Sequence, residues 1–149
     1  MGDRAYARVT VADKHLDHVA GAKRRGDALS VRNVIEGGGF TEVEHYKEEG
    51  TTDFTDDEAN WGGADMYNDL VACGVPFTGS NAPGGEYDAS QWAYSGRGRE
   101  VSSAATSDGF LVCTVDYATG MPNKASLANV RRYLRTLKTA QRKMGMPCA

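Results

Sequence analysis

Glycine sets the terms on which this chain can fold. Eighteen glycines are spread over 149 residues, several of them in runs: Gly37-Gly38-Gly39, Gly62-Gly63 and Gly84-Gly85. Glycine inside a helix or strand costs backbone entropy and marks turns, so the elements between these runs must be short. One stretch escapes: no glycine interrupts the chain between Pro122 and Met144, and a single long helix is predicted there. A chain of this length folds by default as one domain that buries roughly two thirds of its unfolded surface, and it needs no metal or disulfide to do so.

Periodicity fills in the elements. Arg4 to Val11 alternates Tyr6, Arg8 and Thr10 against Ala7, Val9 and Val11, the period of a strand with one wet face. Asp13 is placed to cap a short helix carrying Leu16, Val19 and Ala20, closed by Lys23-Arg24-Arg25-Gly26. Ser30 to Ile35 reads as a strand, and Phe40 to Glu48 as another with Glu42, Glu44, Tyr46 and Glu48 on one face. Thr55-Asp56-Asp57-Glu58 matches a capping box that would open a helix, and Cys73-Gly74-Val75-Pro76 must stop it. Thr78 to Gly85 has loop chemistry. Glu100 to Thr106 and Phe110 to Asp116 flank an Asp108-Gly109 turn, a hairpin signal. Asn123 or Ser126 caps the final helix, whose Leu127, Val130, Leu134, Leu137 and Met144 form an apolar stripe ended by Gly145 and Pro147. The expected architecture is a single α+β domain, a mostly antiparallel sheet with two to three helices packed on one face.

Charge is sorted along the chain. Glu36 to Asp69 holds eleven acidic residues and one basic residue, Lys47, whereas Tyr117 to Ala149 holds seven basic residues and no acidic one. The net charge of -3 conceals both blocks. Aliphatic runs are too short for a membrane span or a signal-peptide core, so a soluble, cytoplasmic protein is expected. Cys73, Cys113 and Cys148 are widely spaced and read as reduced thiols.

Chemical motifs are sparse. His15 and His18 share a helical face at i, i+3, but neither His45 nor Asp17 completes a ligand set by spacing, so no metal site and no cofactor is assigned. No nucleophile elbow and no serine or cysteine paired with a histidine is visible, so no catalytic residue is assigned. Arg97 and Arg99, on a glycine-rich corner, and Arg131 and Arg135, on the final helix with Lys138 and Arg142, are candidate anion-binding groups. Together with the 78–85 loop, Arg97 and Arg99 define an alternative reading as a small enzyme or anion-ligand-binding domain.

The acidic block carries the leading reading. Carboxylates at i and i+2 of one strand face stand roughly 6.8 Å apart, of the order of the charge spacing of a nucleic-acid backbone. Glu42, Glu44 and Glu48, followed by Asp53, Asp56, Asp57 and Glu58, with Tyr46, Phe54 and Trp61 between them, would form such a ridge. The expectation is a non-catalytic inhibitor, a nucleic-acid mimic that occupies the basic, nucleic-acid-binding surface of a partner protein. In type, though in no motif, this is similar to the small acidic anti-CRISPR and anti-restriction proteins of phages and plasmids. Direct nucleic-acid binding by the basic helix is disfavoured by the overall acidity, and homodimerisation is left open.

Overall fold

The computed structural model describes residues 4–17, 19–24, 27–60, 63–84 and 88–146. Its centre is β1 (Arg4–Ala12), flanked on one side by β5 (Thr51–Asn60) and β4 (Thr41–Tyr46). On the other side lie β6 (Phe77–Asn81), β7 (Ser90–Tyr94) and β8 (Val101–Ala104). The six strands run in the order β4-β5-β1-β6-β7-β8, each pairing antiparallel. β2 (Val19–Arg24) and β3 (Asp27–Ser30) pair separately. This is the expected α+β class with an antiparallel sheet.

Helices pack on both faces of the sheet, not on one. α1 (Asp13–Leu16), α2 (Val31–Gly37) and α3 (Ala64–Cys73) bring Leu16, Val31, Ile35, Tyr67 and Leu70 against Val9, Phe54 and Phe77, the main core. α4 (Lys124–Met144) lies on the opposite face, where Tyr133 packs on Ala93 and Val101 with Leu111 and Leu137 beside it. The reversal follows from strand geometry, since successive residues point to opposite faces: Tyr94 enters the first core and Ala93 the second.

Tyr67 fastens α3 to the middle of the sheet. Its buried hydroxyl donates to the Arg8 carbonyl oxygen at 2.8 Å, with the Ser80 carbonyl oxygen at 3.1 Å. The ring stacks on Phe77 and meets Trp92, at centroid distances of 5.6 and 5.0 Å. Room for it comes from Gly79, where a Cβ would stand 2.7 Å from the hydroxyl and 2.8 Å from the Arg8 carbonyl oxygen.

Four expected elements are replaced. Val19 and Ala20 open β2 instead of continuing a helix from Asp13; Gly21 would sit inside that helix, at a cost of about 1 kcal/mol. Ser30 to Ile35 is not a strand. The Ser30 hydroxyl accepts from the Asn33 amide at 3.1 Å and caps α2, whose Val31, Val34 and Ile35 bury one face at i, i+3, i+4. Thr55 to Glu58 opens no helix, because these residues continue β5, where Phe54 is buried, and the Glu58 amide that a Thr55 cap would have served donates to the Asp56 carboxylate at 3.0 Å instead. Instead α3 starts at Ala64 after Gly63 and stops, as expected, at Gly74 in the left-handed conformation. The loop predicted from Thr78 begins only after Asn81, since Thr78 to Asn81 belong to β6.

The hairpin and the final helix are correct in outline and wrong in detail. Gly109 makes the turn, with the Thr106 amide donating to the Phe110 carbonyl at 2.8 Å. Pairing then fades after Val112, so Phe110 to Asp116 is not a regular strand. α4 has the predicted Asn123 cap and Gly145 stop, but Leu134 is 41% exposed and not core. The covered line is Tyr133, Ala140 and Met144 with Leu127, Val130 and Leu137 half-buried, so the predicted stripe departs only at Leu134, whose place is taken by Tyr133.

Candidate interaction surface

β4 is an edge strand, and a β-bulge between Glu42 and Glu44 governs what its carboxylates can do. Glu42 stands opposite Phe54 and Glu44 opposite Asp53, so the extra residue, Val43, sends the two glutamates to different faces. Glu42 turns toward α2 and pairs with Arg32 at 3.9 Å; Arg32 also holds Glu36 at 3.6 Å and lies 5.6 Å from the Phe54 ring centre. The single-face row of Glu42, Glu44, Tyr46 and Glu48 is therefore not formed, and Glu48 falls in the turn after β4.

On the other face Glu44 joins a polar chain. Its carboxylate accepts from the Tyr46 hydroxyl at 2.8 Å, which raises the Tyr46 pKa. Tyr46 in turn accepts from Arg8 at 3.2 Å, and Arg8 pairs with Asp53. Thr10 donates to the other Asp53 oxygen at 2.5 Å. Asp53 is only 2% exposed and is committed to Arg8, whose pKa is raised chiefly by that hydrogen bond. It offers nothing to a partner. At the foot of β4, Asp13 receives hydrogen bonds from Thr52 and His45, each 2.6 Å long; these outweigh the opposing effect of burial and hold its carboxyl below the ordinary range.

The remaining carboxylates gather where β5, the turn before β4 and α3 converge. Asp56, Glu58, Asp65 and Asp69 line a cleft of about 230 Å³, together with Phe40 and Met66. Asp56, Asp57 and Glu58 also line an adjoining depression of about 470 Å³ with Thr41 and Thr55. A β1/β5 bulge helps create this geometry: Ala5 pairs with Ala59 but Ala7 with Asp56, which sets two exposed residues, Asp57 and Glu58, against the one residue Tyr6. Sequence reasoning missed Asp65 and Asp69, although both precede the helix stop on α3. Trp61 and His18 lie outside the described residues. Among the described residues no group of three or more His, Cys, Asp or Glu side chains is placed to hold a metal ion.

The anion-binding candidates are scattered. Thr78 to Asn81 runs antiparallel to Ser90 to Tyr94, so the segment after Asn81 leaves one end of β7 while Arg97 and Arg99 occupy the corner beyond its other end. Among the described residues no single site includes both. Arg131 and Arg135 are exposed on α4, across the sheet from α2 and α3. No described helix is long and apolar enough to cross a membrane. Cys73 is buried, and burial, with Asp69 nearby, pushes its thiol pKa up, away from thiolate chemistry. Comparison with known proteins finds no family model that matches the chain, no curated protein that matches its sequence and no solved structure that matches its fold.

Proposed function

We propose that this is a non-catalytic interaction protein whose acidic end occupies the basic, nucleic-acid-binding surface of a partner protein. The observation that carries the reading is the convergence of Asp56, Asp57, Glu58, Asp65 and Asp69 on two adjoining clefts. Exposed Glu44, Glu48 and Glu49 extend the same charge along the sheet edge. The cations of α4 are on the other face and at the other half of the sheet, so the field at this end is negative despite a small net charge. Carboxylates set around clefts and on both sides of an edge suit a basic groove or a protruding basic loop better than a flat surface. In this reading the protein works in the cytoplasm, as an inhibitor of the general type that mobile elements use against nucleic-acid-binding defence proteins.

Retention of proteins from a bacterial lysate on the full chain, identified by mass spectrometry, supplies the partner. Reversing Glu44, Glu48, Asp57 and Glu58 to lysine is then expected to weaken that complex at least tenfold, about 1.4 kcal/mol, and duplex DNA is expected to compete with it. Glu42 is left out because it pairs with Arg32. Undiminished binding by the reversed variant, or a partner with no basic surface, defeats the reading.

A further inference from the structure

On the α4 side of the sheet, α4 stands over β7 and β8 and leaves the middle strands β1 and β6 open beside it, where two depressions meet. One, of about 250 Å³, has Arg8, Thr10, Thr78 and Ser80 as its floor and the Tyr133, Leu137 and Gln141 side of α4 as its wall. The other, of about 230 Å³, lies between Tyr6 and the Thr106 to Gly109 turn. Ser80 and Gln91 line both, so the two form one trough along β1 and β6. Register gives its course: Thr10 stands opposite Thr78 and Arg8 opposite Ser80, and the floor from Thr10 to Tyr6 covers about 13 Å of strand.

The banks are braced. Gln91 donates from its side-chain amide to the Gly109 carbonyl oxygen at 2.9 Å and accepts from the Tyr133 hydroxyl at 3.1 Å, which ties the turn and α4 to β7. On the other bank Arg8 is held by Asp53 and Tyr46. A site whose walls are fixed in advance loses less freedom when a ligand enters.

The lining selects an uncharged, hydroxyl-rich ligand. Thr78, Ser80 and Gln141 face the trough half-exposed, and their side chains make no hydrogen bond to a described residue. Hydroxyls and amides both donate and accept, as sugar hydroxyls do. Among the described residues that line the trough, Arg8 is the one cation, and buried Asp53 balances it; Asp108, in the turn at one end, is the one carboxylate. An anion therefore meets no unbalanced positive charge on the floor. An extended peptide is no better served, since β1 and β6 are each paired on both sides and offer no free edge for strand addition. For the apolar face of a sugar ring, Tyr6, 40% exposed, stands at one end and Leu137 at the other.

We propose that this trough binds a linear, uncharged oligosaccharide, with Thr78, Ser80 and Gln141 bonded to its hydroxyls and Tyr6 against a ring face. This goes beyond the proposed function, whose clefts are formed by β5, α3 and the turn before β4.

NMR titration of the isotope-labelled full chain tests it, with cellotetraose, maltotetraose, xylotetraose and N-acetylchitotetraose each added to roughly 10 mM. At least one is expected to shift the side-chain amide signals of Gln91 and Gln141, with a Kd below about 1 mM. A Thr78→Val/Ser80→Ala variant, which removes two hydroxyls and little volume, should weaken that binding at least tenfold. Gln141→Leu, on the helix wall, makes the same test without altering a strand, and each variant is compared with the parent at equal melting temperature. None of these changes touches the acidic clefts, so partner binding persists in them and the two readings fail separately. No shift from any of the four sugars overturns the proposal, as does binding that both variants leave unchanged. Inorganic phosphate that shifts the same signals at lower concentration than any sugar overturns it in favour of an anion site at Arg8.

Discussion

The two ends of this sheet are each bare on one face, opposite faces at the two ends, and they are finished with opposite chemistry. Beside β4 the uncovered face is polar, and its groups answer one another: Glu44 to Tyr46, Tyr46 to Arg8, Arg8 and Thr10 to Asp53. Beside β8 the uncovered face is apolar, with Phe110 70% and Val112 38% exposed. A polar half-face can be completed internally because hydrogen bonds and ion pairs need only a neighbour in reach. An apolar half-face is completed only by excluding water, which takes another layer. Equal lack of cover thus leaves one end completed by its own side chains and the other with apolar groups in water.

The comparison can be broken first at α4, the layer that covers the β8 end. Tyr133→Ala is expected to cost about 3 to 5 kcal/mol in denaturant melts, because the ring fills the second core, whereas Leu134→Ala should stay within about 0.5 kcal/mol. The reverse order would show that α4 is seated one residue round from where it is described. At the β4 end, Arg8→Met should cost about 2 kcal/mol; the guanidinium is partly exposed, but its loss strands the buried Asp53 carboxylate. Adding Asp53→Val should recover most of that loss. A double variant no better than the single would mean the polar chain does not hold itself together.

The finer contrasts follow. Phe110→Ser should leave stability within about 0.5 kcal/mol of the parent and reduce binding of an apolar dye, since the residue is 70% exposed. The smallest effect belongs to the Asp13 contacts with Thr52 and His45. Because the folded carboxyl titrates below its ordinary value, its contribution is present above the unfolded pKa and disappears as pH falls through the folded one. The gap between the parent and Asp13→Asn should therefore be open above about pH 5 and closed near pH 2 in urea melts. A gap that widens with acid contradicts the assigned sign.

Residue periodicity carried part of this architecture. The antiparallel class, β1, the Gly74 stop, the Gly109 turn and the ends of α4 follow from local patterns that survive in three dimensions. Errors arose where a pattern had two readings. Val31, Val34 and Ile35 satisfy both a β-branched run and a buried helical face, and the Ser30 cap decides between them. Counting α4 on aliphatic residues alone passed over Tyr133 and Ala140, which are buried, and put Leu134 in their line. For the site, an acidic end was legible but its shape was not, because two bulges, at Val43 and at Asp57-Glu58, break the alternation from which a single row was drawn. Asp53 was the clearest misreading: its sequence neighbours are acidic, yet its spatial neighbour is Arg8.

The fit of Tyr67 into the space above Gly79 restricts the sequences that can adopt it. Neither residue can change alone: a side chain at 79 collides with the phenol, and a smaller residue at 67 leaves a void over a bare stretch of β6. The glycine is demanded twice, by the phenol and by the Arg8 carbonyl oxygen of β1, so exchanging Tyr67 alone would not free position 79. A hydroxylated aromatic on a short helix, followed twelve positions later by a strand glycine, is the pattern this packing demands of any sequence that adopts it.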